Sequence, residues 1–120
     1  MTDRIPPVLR PEHPLARSLA GLVDEFGLEY LGSIDGVEVS GVTVRTSEVH
    51  PGDLFVGLPG ARNHGAEFAT DARERGAVAI MTDAAGAALA KDSGLPVVVV
   101  ESARAALGDV SAWAYQTADH

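Results

Sequence analysis

The chain has 120 residues, the size of one compact domain, which argues against a complete two-substrate enzyme with a cleft between domains. Hydrophobic residues make up 46% and charged residues 22%, the usual balance of a folded globular domain, which argues against a disordered or a fibrous chain. The formal net charge of −8 repels polyanions and argues against a nucleic-acid partner.

Cysteine is absent, which excludes disulfides and thiolate metal sites and fits a reducing compartment. Residues 1–10 contain an acidic residue and two prolines in place of the apolar run of a signal peptide. No stretch approaches the roughly 18 apolar residues that a membrane-spanning helix needs. We therefore expect a cytoplasmic protein that does not enter a membrane.

The chain opens on a proline-rich segment, in which residues 1–14 hold four of the seven prolines. Proline removes backbone donors and disfavours helix before each ring, so we expect an extended arm over residues 1–14 and a folded domain over residues 15–120. Apolar residues then recur at helical spacing, and Gly27 follows where a left-handed cap is common. This pattern predicts a first helix with one apolar face, formed by Leu15, Leu19, Leu22, Val23 and Phe26.

The segment that follows predicts strands. Scattered glycines and acidic residues over residues 28–40 indicate a loop, with an edge strand at Val37–Val39. The β-branched run Val42–Val44 predicts a strand. His50–Asp53 has turn chemistry, in which the aspartate satisfies backbone N–H groups, and it leads into a buried strand at Leu54–Leu58.

Helices and strands alternate in the second half of the chain. The predicted elements are a helix over Ala66–Arg75, a strand over Ala77–Met81, a helix over Ala84–Lys91, a strand over Val97–Val100 and a last helix that Ser102 caps. In the first of these helices, we expect Phe68, Ala69 and Ala72 to face inward. The alternation predicts a single small α/β domain, with a mixed, mostly parallel β-sheet flanked by helices.

Sequence patterns for several kinds of catalytic site are absent. The chain lacks a P-loop and a Gly-x-Gly-x-x-Gly fingerprint, so neither ATP nor a dinucleotide has its usual cradle. No nucleophile–histidine–acid signature is present, and the four histidines stand at spacings that indicate no metal site. We therefore predict no catalytic residue, no metal and no cofactor in this domain.

Two polar loops flank the predicted strand Leu54–Leu58: Val44–Ser47 precedes it and Gly60–Gly65 follows it. The second loop opens a helix, and free N–H groups at a helix start, beside an arginine and a hydroxyl, can hold an anion such as a diphosphate. On these residues alone, ordinary polar loops with solvated Arg45 and Arg62 are the simpler explanation.

The longest motif of the chain resembles a known family. The stretch Gly41–Gly65 contains a strand with a threonine, a Pro-Gly-Asp-Leu-Phe run, a glycine, a short polar loop and a His-Gly pair. These features in this order are similar to the N-terminal domain of the Mur ligases. Arg75–Asp83 and the valine run after Pro96 match as well, so the resemblance covers residues 15–115.

Within that family, Val-Thr-Val-Arg together with the His-Gly pair looks most like the UDP-N-acetylmuramoyl-tripeptide synthetases (MurE) of high-GC actinobacteria, with the MurF ligases as the close alternative. The resemblance implies an ATP-dependent ligase of peptidoglycan synthesis that adds diaminopimelate or lysine to UDP-N-acetylmuramoyl-L-alanyl-D-glutamate. It implies that this domain grips the uridine diphosphate end, while ATP and Mg²⁺ bind a central ligase domain of the same chain. By itself this domain would then be inactive.

The resemblance also assigns the UDP-binding residues by motif position: Val44 and Thr46 on the first loop, and Ala61, Arg62 and Asn63 on the second. Thr46 would donate its hydroxyl to a phosphate or ribose oxygen. Arg62 and Asn63 would frame the uracil and the diphosphate.

Arg45, Ser47 and His64 are weaker assignments. Many family members read Asp-Ser-Arg where this chain reads Arg-Thr-Ser, so the hydroxyl is kept but the cation is displaced. His64 stands where the loop meets a helix, and packing or capping is its more ordinary role. Trp113 and Tyr115, at the end of the last helix, are expected to cap the core or to contact a neighbouring domain.

Two other functions are compatible with these residues. One is a non-catalytic α/β module that binds a sugar nucleotide or a protein partner, and the other is a structural domain without a ligand. A reading frame that continues past His120 into a Gly-rich loop ending in Gly-Lys-Thr or Gly-Lys-Ser would favour the ligase over both.

Overall fold

Seven short strands form two sheets in this computed structural model, which describes residues 17–60 and 63–115. The strands are β1 (Arg17–Ser18), β2 (Glu29–Leu31), β3 (Glu38–Val39), β4 (Gly41–Thr43), β5 (Asp53–Gly57), β6 (Ala79–Thr82) and β7 (Val97–Val99). β1 pairs with β3 in a small antiparallel sheet. The other five strands form one sheet in the order β2-β7-β6-β5-β4. The predicted arm over residues 1–14 lies outside the described residues.

The larger sheet is mixed and mostly parallel, which confirms the prediction. β4 runs parallel to β5, β5 to β6 and β6 to β7, while β2 pairs with β7 in the antiparallel direction at one edge. Because β4, β5, β6 and β7 point the same way, the loops that follow them all leave from one edge of the sheet.

Helices cover both faces of the sheet, as expected for the predicted α/β class. They are α1 (Leu19–Phe26), α2 (Ala69–Glu74), α3 (Ala84–Ala90) and α4 (Ala103–Tyr115), with 3-10 helices at Thr46–Glu48 and Gly65–Phe68. α1 and α4 pack on one face, and α2 and α3 pack on the other. Within residues 17–60 and 63–115, no helix is long and apolar enough to cross a membrane.

β5 is buried on both of its faces. Leu54 and Val56, both 0% exposed, pack toward α1 and α4, while Phe55, 1% exposed, packs toward α2 and α3. Each such side chain contributes about 1.5–3 kcal/mol to stability. Burial on both faces explains why this strand is a continuous apolar run and not an alternating one.

The boundaries of α1 follow from its caps. Ser18 accepts the N–H of Gly21 at 3.3 Å, and Gly27, at φ 63°, ends the helix as predicted. The helix begins at Leu19, because strand β1 and the Ser18 cap come directly before it, and Leu15, which was expected on its apolar face, lies outside the described residues.

The cap and the aromatic residue of α4 also behave as predicted. The Ser102 hydroxyl accepts the N–H of Ala105 at 3.2 Å. Trp113 is 4% exposed and belongs to the core, with the Arg17 guanidinium 4.8 Å from its ring centroid. The side chain of Tyr115 lies outside the described residues. Of the two roles expected for Trp113, covering the core is the one observed.

The turn before β5 confirms the role expected of its aspartate. Asp53 is fully buried, and its Oδ2 accepts the N–H of His50 at 2.9 Å. Gly52 adopts φ 94°, which side-chain-bearing residues rarely tolerate. The buried Asp53 carboxylate therefore ties the turn to the start of β5.

Two local expectations were wrong or incomplete. Strand β2 was not predicted, because all three of its side chains are exposed and show no alternation. Phe68, expected to face inward, is 44% exposed. The first turn is a 3-10 helix, whose three-residue period changes which side chains face the sheet, and Ala66 takes the inward position at 1% exposure. Ala69 and Ala72 are buried as predicted.

Candidate functional site

The two predicted loops lie beside each other at one edge of the sheet. β4 and β5 are parallel neighbours, with Thr43 opposite Phe55 in the register. Val44–Ser47 leaves from the carboxyl end of β4, and the loop Leu58–His64 leaves from the carboxyl end of β5. In open α/β sheets, ligands bind at this edge. The sheet thus brings together two segments that are separated in sequence by the whole of β5.

The first loop presents a hydroxyl and an apolar side chain. Val44 is 39% exposed, and Arg45 is exposed with an extended backbone. Thr46 is half-buried at the start of a 3-10 helix, and no residue of the described ranges hydrogen-bonds its hydroxyl. The neighbouring Thr43 hydroxyl accepts the N–H of Arg45 at 3.3 Å and so fixes the turn out of β4.

The second loop is a tight hairpin. Pro59 and His64 form an antiparallel bridge, and the N–H of Gly65 donates to the carbonyl of Leu58 at 2.7 Å. A Cβ on Gly60 would lie 2.6 Å from the Asn63 carbonyl oxygen, so the backbone of Gly60 lies close to that of Asn63.

Asn63 is exposed at this tip. Ala61 and Arg62, the other two residues assigned to it, lie outside the described residues. Their part in binding stays a prediction.

The ring and the backbone N–H of His64 make three hydrogen bonds. Its Nδ1 accepts the N–H of Ala66 at 3.0 Å, which places the ring proton on Nε2, and Nε2 donates to Oδ1 of Asp83 at 2.9 Å. The backbone N–H of His64 donates to the Glu67 carboxylate at 3.0 Å, completing a capping box. The expected capping role is confirmed, and both ring nitrogens bind protein atoms in place of a ligand.

These contacts also correct one part of the anion-site prediction. The N–H groups at the start of this helix were expected to be free for a diphosphate. Instead Gly65 donates to Leu58, Ala66 donates to the His64 ring and Glu67 donates to the His64 carbonyl. An anion at this edge must therefore be held by side chains and by the loop tips.

Asp83 links the hairpin to the next strand and helix. Its Oδ1 also accepts the N–H of Gly86 at 2.8 Å and so caps α3. Partial burial raises the pKa of the Asp83 carboxyl, but the hydrogen bonds from Gly86 and His64 outweigh that effect and lower the pKa below 3.8. The residue is a charged acceptor at neutral pH. Sequence reasoning missed it, although an aspartate between a strand and an alanine-rich helix is an N-cap signal.

A second tie joins the hairpin to α4. Arg104 Nη2 donates to the Pro59 carbonyl at 3.0 Å. Beneath the hairpin, the Thr82 hydroxyl donates to the Gly57 carbonyl at 2.9 Å within the buried ends of β6 and β5. The base of the loop is thus fixed to β6, α3 and α4, while Gly60 and Asn63 stay exposed.

Among the residues that the structure describes, no group of three or more His, Asp, Glu or Cys side chains could hold a metal ion. A separate groove of about 310 Å³ lies between the end of α1 and the start of α4. It is lined in part by Phe26, Leu28, Val100, Ser102, Ala106 and Asp109. None of the described site residues lines it.

Comparison with known proteins gives a consistent result. Residues 38–115 match the sequence profile described as "Mur ligase family, catalytic domain". The chain is 55% identical over its full length to the UDP-N-acetylmuramyl-tripeptide synthetase of Leifsonia xyli, and covers 23% of that protein. It is 45% identical, over 96% of its length, to the UDP-N-acetylmuramoyl-L-alanyl-D-glutamate--2,6-diaminopimelate ligase of Streptomyces coelicolor, and covers 22% of it. The chain therefore spans about a quarter of the length of these relatives.

The fold is also found among solved structures. MurF from Acinetobacter baumannii superimposes with a TM-score of 0.68 over 83% of this chain and 21% of its own, at 19% sequence identity. At 19% sequence identity, this similarity shows a shared fold and nothing more.

Proposed function

The chain belongs to the Mur ligase family, and we propose that it forms the domain of an ATP-dependent ligase of peptidoglycan synthesis that binds the uridine diphosphate end of the substrate. The observation that carries the proposal is the parallel pairing of β4 with β5, because the loops that follow the two strands then leave the sheet at the same edge, where α/β sheets bind ligands. Loops at neighbouring strand ends can reach one diphosphate.

The substrate we propose is UDP-N-acetylmuramoyl-L-alanyl-D-glutamate. It is named in the Streptomyces relative, and the Leifsonia relative is named for the tripeptide product. The reaction would add a third residue, diaminopimelate or lysine, to the dipeptide. The fold is shared with MurF, but relatives named for the tripeptide step reach 55% and 45% identity, so addition of the third residue is favoured.

We assign this chain a binding role within that reaction. ATP and Mg²⁺ would be held by a central domain of the full-length ligase, because the present sequence carries no P-loop. The reaction would take place in the cytoplasm. The 120 residues would bind one end of the substrate and would not activate the carboxylate.

The proposed residue roles follow from the motif positions that this chain shares with the Mur ligases. Thr46 would donate its hydroxyl to a phosphate or ribose oxygen, and Arg62 would give a charge-assisted hydrogen bond to the diphosphate. Val44 would pack against the uracil, and Asn63 would hydrogen-bond its edge. Because the chain carries a net charge of −8, the attraction for an anionic ligand must be local and only moderately dependent on salt.

Thermal unfolding with two nucleotides tests the proposal. A ligand at ten times its dissociation constant stabilises the folded chain by about 1.4 kcal/mol, which corresponds to a rise in Tm of about 5 °C. We expect a rise of that order with millimolar UDP and a much smaller one with ADP at equal concentration. ADP has the same diphosphate and ribose, so it controls for binding that does not depend on the identity of the base. Equal shifts with both nucleotides, or no shift with UDP, would contradict uridine recognition.

A further inference from the structure

We propose that His64 and Asp83 act as a positioning pair: they hold Gly60 and Asn63, the two described residues at the tip of the second loop, in place relative to β6 and α3 and thereby set the affinity for UDP without touching it. The inference rests on the proposed function of that tip. It concerns two side chains 19 residues apart that neither the sequence motif nor the comparisons connect.

The contacts of the second loop fall into two groups with different consequences. The Pro59–His64 bridge and the hydrogen bond from Gly65 to Leu58 lie within the loop and give the hairpin its shape. These two contacts do not fix the position of the hairpin relative to the sheet. Two contacts join the hairpin to other elements. Arg104 of α4 donates to the Pro59 carbonyl, next to Gly60, and His64 reaches Asp83 at the junction of β6 and α3. The His64 contact therefore fixes the Asn63 end of the hairpin relative to the neighbouring strand.

The surroundings of the pair leave the imidazole little freedom. The side chains of His64 and Asp83 are 13% and 20% exposed. A Cβ on Gly86 would lie 2.6 Å from Cε1 of His64, so the ring rests directly on the backbone of α3. Since the same Asp83 oxygen also accepts the N–H of Gly86, ring, carboxylate and helix start form one unit.

A cap alone does not need histidine at this position. The N–H of Ala66 requires one acceptor on the side chain of residue 64, and asparagine or aspartate would supply it. Histidine adds a second nitrogen on the far side of the ring, and this nitrogen reaches Asp83. The additional contact does nothing for the cap, but it couples the binding loop to the sheet.

Substitutions can separate the two contacts. His64→Asn keeps an acceptor for the N–H of Ala66 but is too short to reach Asp83. Asp83→Ala removes the partner of the ring, whereas Asp83→Asn keeps an oxygen that can accept from both His64 and Gly86 and should restore the geometry. Ser18→Ala is the matched control, since it removes the N-cap of a different helix, α1, at a similar cost of about 1 kcal/mol in stability.

The experiment is calorimetric titration of the full chain with UDP, together with ¹⁵N relaxation of the Gly60 and Asn63 amides. For His64→Asn and Asp83→Ala we expect UDP affinity to fall about three- to tenfold. The order parameters of both amides should fall from about 0.85 toward 0.6. Asp83→Asn and Ser18→Ala should bind UDP like the wild type and keep a rigid tip.

The possible failures differ from one another. If the wild type binds UDP and His64→Asn and Asp83→Ala bind it equally well, the positioning role is wrong while the proposed function stands. An equal loss of affinity in Ser18→Ala would show that global stability is responsible, and it too would overturn the positioning role. A wild-type chain that does not bind millimolar UDP would contradict both.

Discussion

Gly86→Ala should destabilise the domain by about 3 kcal/mol, although alanine is ordinarily the better helix former by about 1 kcal/mol. A Cβ at this position would lie 1.9 Å from Oγ1 of Thr82 and 2.6 Å from Cε1 of His64. Overpacking of a buried site costs about 1–3 kcal/mol. Displacing the Thr82 hydroxyl would also leave the buried Gly57 carbonyl without its donor, at a further cost of about 1–3 kcal/mol.

Gly108→Ala is the matched control for this substitution. Gly108 is also a helix-interior glycine, in α4, but it is exposed and a Cβ there would meet nothing within 4 Å. This variant should be more stable than the wild type by about 1 kcal/mol. Urea unfolding of the two variants measures both effects. Two variants of equal stability would show that α3 does not pack against β6 and the His64 ring as described.

The second large effect is expected in binding. Replacing Thr46 or Arg62 by alanine should weaken UDP binding by roughly ten- to a hundredfold, because a hydrogen bond to a charged group contributes about 1.5–3 kcal/mol. Thr46 is only half-buried, and its hydroxyl has no hydrogen-bond partner among the described residues, so Thr46→Ala should change the free energy of unfolding little. Titration calorimetry of each variant at one ionic strength gives the comparison.

Thr70→Ala controls for the loss of a threonine elsewhere, since Thr70 is exposed on α2 and belongs to neither loop. It should bind UDP with wild-type affinity. If Thr46→Ala also bound with wild-type affinity, the transfer of this family role to Thr46 would be wrong.

The parts of the fold that were predicted from sequence are those determined by local pattern. β5 and β7 are continuous apolar or β-branched runs, because parallel strands are buried on both faces. Gly27 and Ser102 mark helix ends through short-range capping, which leaves a residue-level signal. The motif from Gly41 to Gly65 was long enough to indicate both the family and the position of the two loops.

The parts that were missed depend on contacts distant in sequence. β2 is a strand only because it pairs with β7, nearly 70 residues later, and its exposed side chains carry no alternation. The N–H of Ala66 could not be known to be occupied before His64 was seen to turn back onto it. The tie from His64 to Asp83 likewise depends on β5 and β6 being neighbours in the sheet. A local sequence pattern does not indicate which distant segments of the chain pair in the sheet.

The measurement that tests the binding role most directly is an NMR titration of the ¹⁵N-labelled chain with UDP. We expect saturable shifts confined to Val44–Ser47 and Gly60–Ala66, because the loops that follow β4 and β5 leave the sheet at one edge. Shifts centred instead on the groove between α1 and α4, at Val100, Ser102 and Ala106, would place the ligand elsewhere. That result, or no shift at millimolar UDP, would contradict the assignment of these loops as the uridine diphosphate site.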